Sequence, residues 1–221
     1  MKAIILAAGR GERLRPLTDQ TPKPLIEVGG QPLIAHHLHH LASAGIDQVV
    51  INLAWLGQQI RDAVGDGCQF GLQVSYSAEP EGALETAGGI IQALPLLGDE
   101  PFVMISADVY CDFSLERLCE MQLNHLGHLV MVDNPSHHPE GDFGLDEGGQ
   151  LNRGQAALTF SGIALLHPGL FTGWPPGRRA LRPVLEKALG AGQLTGEHHT
   201  GLWSDIGTIE RLDDIRRKIA T

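Results

Sequence analysis

Hydrophobic residues along the chain alternate between short unbroken runs and stretches with a helical period. The runs at 3–8 (AIILAA), 48–53 (QVVINL) and 102–107 (FVMISA) read as buried strands, because strands covered on both faces are apolar throughout. Shorter strands are expected at 72–76, 129–133 and 158–166. Between them the period changes. At 32–44, Leu33, Ile34, His37, Leu38, Leu41 and Ala42 fall on one helical stripe, with Pro32 near its start and Gly45 just past its end. Further helices are expected at 55–64, 84–94, 114–125 (with Ser114 as N-cap), 180–189 and 209–220. Gly88 and Gly89 weaken the middle of the 84–94 helix. Residues 134–157, rich in Pro, Gly, Asn and charge, are expected to form an irregular excursion, a hairpin or a lid.

Strands alternating with helices predict one α/β domain over residues 1–221, a three-layer αβα sandwich around a mixed, mostly parallel sheet. Ligands in such sheets bind beyond the carboxyl ends of the strands. The residues after Ala8 and after Ala107 fall at two such ends.

Composition narrows the ligand. The formal net charge is −10, the opposite of a general nucleic-acid binder, so an anionic ligand must be held by a local site. Such a site is offered by Lys2, Arg10, Arg13, Arg15 and Lys23, all near the start of the chain. No apolar segment reaches the ~18–20 residues of a membrane span. The three cysteines, Cys68, Cys111 and Cys119, are odd in number and form no C-x-x-C pair, which suits free thiols in a reducing compartment. A cytoplasmic enzyme without nucleic-acid or membrane partners is expected.

The richest chemistry lies between Leu6 and Pro24. Glycines at 9 and 11 let the backbone turn tightly and approach a ligand, so that N–H groups cradle phosphate oxygens. Arg13 and Arg15 add charge-assisted donors, and Pro22 and Pro24 stiffen the backbone around Lys23. The P-loop pattern G-x-x-x-x-G-K-[ST] is absent. Leu14 stands where a dinucleotide loop needs its third glycine. Asp108 directly follows an apolar strand, so its carboxylate projects into the expected ligand crevice. His36, His37, His39 and His40 include helical pairs suited to a transition metal, but no cysteine or carboxylate joins them in the sequence. A histidine-rich helix face is the better reading.

The run L-A-A-G-x-G-x-R-L-R-P-L-T…P-K-P-L resembles the signature of the sugar-1-phosphate nucleotidyltransferase family. Glu12, Val50–Ile60, Leu84–Ile90, Gly141–Leu145 and Gly196–His199 are similar to the branch acting on N-acetylmuramate 1-phosphate with UTP. The resemblance implies a Rossmann-like nucleotidyltransferase fold, with Mg²⁺ held by Asp108 and Asp205. The family has glycine where Ala107 stands; had that position needed a positive φ, the alanine would strain the turn. By resemblance the catalytic residues are Arg13, Lys23 and Asp108. The nucleotide would meet Ala8, Gly9, Gly11, Glu12, Arg13, Lys23, Glu79 and Gly88, and the sugar Ser106, Asp142 and Ser161. His198 and His199 are weaker candidates for substrate contact. The lactyl carboxylate of N-acetylmuramate needs a cation, for which Arg153 and Arg182 both qualify. Only one helix is expected after Asp205, so a monomer or weak homodimer is expected.

Overall fold

The computed structural model describes residues 1–80, 84–154 and 157–219. Its centre is a nine-stranded mixed sheet. Strand Lys2–Leu6 lies between Gln48–Leu53 and Phe102–Ser106, parallel to both, and Gln73–Ala78 continues the parallel set beyond Gln48–Leu53. On the other side Ala157–Leu166 runs antiparallel to Phe102–Ser106 and to Gly127–Val132. Leu194–His199 then adds in parallel to Gly127–Val132.

Alternation along each strand sends side chains to two apolar layers. Ala3, Ile5, Val103 and Ile105 pack on one face with Ile34, Leu38 and Leu41 of helix Leu33–Ser43, and with Ile60 and Val64 of helix Gly57–Val64. Ile4, Phe102 and Met104 pack on the other with Ala87, Ile90 and Ala93 of helix Glu85–Leu97, and with Val184 and Leu185 of helix Leu181–Gly190. A third, smaller cluster joins Leu14, Ile26, Val28 and Leu33 to Ile206, Leu212 and Ile215, and so docks helix Ile209–Ile219 against the first loop. The Ala220 end expected for that helix lies outside the described residues.

Several expectations change. The 114–125 helix shrinks to Glu116–Glu120, and Ser114 does not cap it; its hydroxyl donates to Glu116 Oε2 instead. Met121 turns extended, and both Met121 and Leu123 pack on the core, a spacing of two that suits extended chain and not helix. The 84–94 helix runs through Gly88 and Gly89 without a break, because both glycines sit where other chain approaches closely. The 134–157 stretch contains a hairpin, Phe143–Leu145 with Leu151–Asn152, whose turn is held by Asp146 Oδ1 accepting from Gly148 N and Gln150 N. Leu194–His199 and the short antiparallel pair Val109–Cys111 with Trp203–Asp205 carry too few apolar residues to stand out in the sequence.

His37 sits on the core stripe of its helix and is buried. Burial, reinforced by His36 and His40, pushes its pKa down to about 4. The unfolded chain therefore binds a proton that the folded chain refuses between pH 6.5 and about 4, and stability falls as pH drops through that window. Denaturant titrations at pH 7 and pH 4 should show wild type losing ~3 kcal/mol more than His37→Leu. Equal losses would contradict the burial of a neutral imidazole.

Candidate functional site

Parallel register sets Leu6 beside Asn52 on one side and Ser106 on the other, so three strand ends open along one edge. Two cavities of about 500 Å³ each lie there and share Thr86, Ser106 and Asp108 as a common wall.

The first cavity is lined by Ala8, Gly9, Gly11, Glu12, Arg13 and Lys23 from the first loop, and by Asn52, Glu79 and Asp108. Gly11 has φ +67°, and a Cβ there would stand 2.9 Å from Thr18 Cγ2 and 3.4 Å from Lys23 Cβ. The Thr18 hydroxyl donates to Gly11 O at 2.8 Å and fixes this turn. Among the described residues the N–H groups of Gly9, Arg10 and Gly11 have no partner, and Arg13 makes no ion pair. The loop thus presents unspent donors and an unspent cation to the cavity, an arrangement that suits phosphate oxygens. Arg15 takes no part in it, because its side chain pairs with Asp19 at 3.1 Å. Arg10 lies over the Trp55 ring.

Lys23 is almost wholly buried, at 8% exposure, and its Nζ donates to Asp108 Oδ2 at 2.7 Å. Burial alone would raise the Asp108 carboxyl; the Lys23 ammonium, with a smaller contribution from a backbone hydrogen bond, outweighs that and holds it below the usual carboxylate range. Ala107 carries no strain: its φ is not positive, and its N–H donates to Leu6 O at 3.1 Å.

Asp205 arrives by a second route. Trp203–Asp205 pairs antiparallel with Val109–Cys111, setting Asp205 opposite Val109, and Ile206 N donates to Asp108 O at 2.8 Å. Both aspartates line the second cavity. Asp205 does not cap the last helix; Arg211 Nη1 donates to its two oxygens at 2.7 and 2.5 Å, and His137 Nε2 lies 3.2 Å away. Each aspartate therefore already draws a cationic side chain. A pair of carboxylates on adjacent backbone is a hard-oxygen donor set that fits a magnesium-sized dication with phosphate and water completing it.

The rest of the second cavity includes Ser106, Thr159, Phe160, Ser161, Trp203, His137, His138 and Arg182. Ser161 Oγ accepts from Ile163 N at 3.1 Å, and its carbonyl accepts from Trp203 Nε1 at 2.9 Å. Asp142 stands behind the lining: its Oδ2 accepts from Phe160 N at 2.9 Å, while Oδ1 lies 3.3 Å from His138 Nε2 and 3.4 Å from Arg182 Nη1. Arg182 lines the cavity and Arg153, exposed on its loop, does not.

Three residues expected to meet a ligand lie outside both cavities. Gly88 lines neither cavity; its N–H donates to Arg179 O at 3.1 Å, and a Cβ there would stand 2.4 Å from Gly177 O. It is a packing glycine. His198 and His199 are turned to Asp133 and Asp112, at 3.0 and 2.8 Å, and line neither cavity.

Asn52 was not expected in the site. It is 3% exposed, and its Oδ1 accepts from Ala7 N while its Nδ2 donates to Glu79 Oε1, both at 2.6 Å. Glu79 Oε2 in turn accepts from Leu84 N at 2.6 Å. One amide thus fixes the first loop and the start of helix Glu85–Leu97 together. The signal was present: Asn52 interrupts the apolar stretch after Gln48 near a parallel strand's carboxyl end. Replacing Asn52 with Ala should strand the Ala7 N–H and Glu79 Oε1 and cost ~1–3 kcal/mol in urea unfolding. A neutral result would mean that neither bond matters.

The nucleotidyl transferase family matches residues 2–160. An N-acetylmuramate alpha-1-phosphate uridylyltransferase from Neisseria meningitidis serogroup B is 49% identical, over 97% of this chain and 96% of that protein. A mannose-1-phosphate guanyltransferase from Aspergillus oryzae is 32% identical over 94% of this chain, which spans only 61% of that protein. The structure of HddC from Yersinia pseudotuberculosis, complexed with GMP-PN, superposes with TM-score 0.83 at 22% identity, covering 98% of each chain, a likeness that speaks to fold alone. The chain belongs to the nucleotidyl transferase family.

Proposed function

We propose that this chain transfers a uridylyl group from UTP to N-acetylmuramate α-1-phosphate, releasing pyrophosphate. The observation that carries this reading is Asp108, ionised against buried Lys23 at the wall common to two cavities, one rich in phosphate donors and one suited to a sugar. The 49%-identical relative supplies the choice of base and sugar.

In this reading UTP occupies the first cavity. The loop N–H groups around Gly11 and the side chains of Arg13 and Lys23 hold its triphosphate, and Ala8, Gly9, Glu12 and Glu79 border the nucleoside. The sugar phosphate occupies the second cavity beside Ser106 and Ser161, with Asp142 bracing the wall through Phe160 and Arg182. A sugar-phosphate oxygen, already ionised, attacks the α-phosphorus in line; the bond from the α-phosphorus to the bridging oxygen breaks, and pyrophosphate leaves with that electron pair. No general base is required. The protein contributes positioning and charge neutralisation. Asp108 and Asp205 would hold Mg²⁺, which when bound supplies Lewis-acid neutralisation at the phosphoryl oxygens. Arg182, on the sugar side, meets the lactyl carboxylate. Among the described residues no helix is long and apolar enough to cross a membrane. The reading makes the chain a cytoplasmic enzyme of peptidoglycan sugar recycling, acting as a monomer or weak homodimer.

Pyrophosphate release across a panel of triphosphates and sugar 1-phosphates, with and without Mg²⁺, tests this. UTP with N-acetylmuramate 1-phosphate should be the best pair, and another pair at tenfold higher efficiency would displace it. Asp108→Asn should lower kcat ~10²–10³-fold, and unchanged turnover would remove Asp108 from the site. Arg182→Ala should raise KM for N-acetylmuramate 1-phosphate about tenfold, the loss of one exposed charge-assisted contact. The KM for N-acetylglucosamine 1-phosphate, which lacks the lactyl group, should not move; equal effects on both would exclude Arg182 as the reader of that carboxylate.

A further inference from the structure

Cys111, Asp112 and His199 lie outside both cavities of the proposed active site, yet the sulfur, one carboxylate oxygen and one ring nitrogen all fall within 4.8 Å of one another. They come from two distant parts of the chain. Cys111 ends strand Val109–Cys111, Asp112 follows it with its N–H donating to Leu202 O at 3.0 Å, and His199 ends strand Leu194–His199. The His199 ring is fixed on two sides, by Asp112 Oδ1 2.8 Å from Nε2 and by an edge contact with buried Phe113. Gly201 makes the approach possible: a Cβ there would stand 2.4 Å from Asp112 Oδ1 and 2.8 Å from His199 Nε2. Cys111 and Asp112 also line a cavity of about 350 Å³ with His36, His37, His39 and His40, so the fold joins a thiol and a carboxylate to the histidine-rich helix. In that cavity lining His37 is buried, its Nε2 without a hydrogen-bond partner among the described residues.

We propose that Cys111, Asp112 and His199 form a binding site for a transition-metal dication of the zinc class. The mixed sulfur, nitrogen and oxygen donors select such an ion over magnesium, and three protein ligands leave one tetrahedral position for water. Tetrahedral ligation at ~2.0–2.3 Å spaces donor atoms ~3.3–3.7 Å apart, so an ion would replace the 2.8 Å Asp112–His199 hydrogen bond with a slightly wider separation. The thiol must lose its proton to ligate. A thiol is protonated at neutral pH in the metal-free protein, so each ion bound releases one proton to solvent. The ion would clamp the end of Val109–Cys111 to the segment leading into Trp203–Asp205, the pair of strands that sets Asp205 beside Asp108.

Titration of the chelator-treated full-length chain with Co²⁺ tests this without reference to turnover. The expected result is a thiolate-to-cobalt absorption in the near ultraviolet that saturates at one ion per chain, is displaced by Zn²⁺, and releases one proton in weak buffer. Cys111→Ser should abolish the band and the proton release, whereas Cys68→Ser and Cys119→Ser should keep both. His199→Gln and Asp112→Asn should each weaken binding at least tenfold. Zn²⁺ should raise the melting temperature of wild type and leave Cys111→Ser unmoved. No thiolate band in wild type, or a band that survives Cys111→Ser, overturns the site. Matching circular dichroism of the metal-free variants guards against loss of fold.

Discussion

A lysine ammonium cannot be taken out of water without an anion, and the placing of Lys23 follows from that constraint. At 8% exposure and 2.7 Å from Asp108, it ties the first loop to the end of a strand 85 positions later. Removing Asp108 strands the buried Lys23 ammonium, a far larger penalty than the pair's own net worth. The bond therefore works as a register pin. It fixes how far the first loop folds over the sheet edge, and hence where the unpartnered N–H groups of Gly9 to Gly11 face. A phosphate arriving there would find Lys23 already oriented, and so would lose little freedom on binding.

The sheet edge does the remaining alignment with little help from side-chain chemistry. Parallel pairing in register sets Leu6, Asn52 and Ser106 side by side. Asn52 then converts that alignment into hydrogen bonds, one to each neighbouring segment. Gly89 is required by the same contact, since a Cβ there would stand 2.4 Å from Glu79 Oε1 and 2.6 Å from Asn52 Nδ2. Propensity counts Gly88 and Gly89 as helix weaknesses, yet they cost little beside the contacts they permit. Asn52, Glu79 and Gly89 form one unit, and only Glu79 had been singled out for the site.

What was legible in the sequence was whatever obeys a local period. The three apolar runs became central strands because burial on both faces leaves a continuous signal. The stripe from Leu33 to Leu41 became a helix, and even His37 took its core position. The first loop was legible because a turn at positive φ demands glycine at 11. What escaped was set by tertiary contact. Strand Leu194–His199 is polar for most of its length and exists because Gly127–Val132 offers it a free edge. Gly88 was expected at the nucleotide; a packing glycine and a ligand-approach glycine look alike until the opposing atom, here Gly177 O, is known. Asp142 was expected at the sugar, but only coordinates separate a side chain that lines a cavity from one that holds the lining.

The separation of the two aspartates depends on less structure than either aspartate alone. Asp108 is pinned by Lys23 and by its place at the end of a central strand, whereas Asp205 belongs to a two-stranded pair of three residues each. A pair that short is marginal by itself and must borrow rigidity from what flanks it. On one flank the borrowing is visible: Ile206 enters the cluster of Leu14, Leu212 and Ile215, and Arg211 grips the Asp205 carboxylate. On the other flank the strands run into Asp112 and Gly201, where the Asp112–His199 contact and the Asp112 N–H to Leu202 O bond are polar links across the gap. An ion held by Cys111, Asp112 and His199 would strengthen that weaker flank. It would stiffen the distance between Asp108 and Asp205 while touching neither, so its influence on the proposed reaction would run through geometry and not through charge.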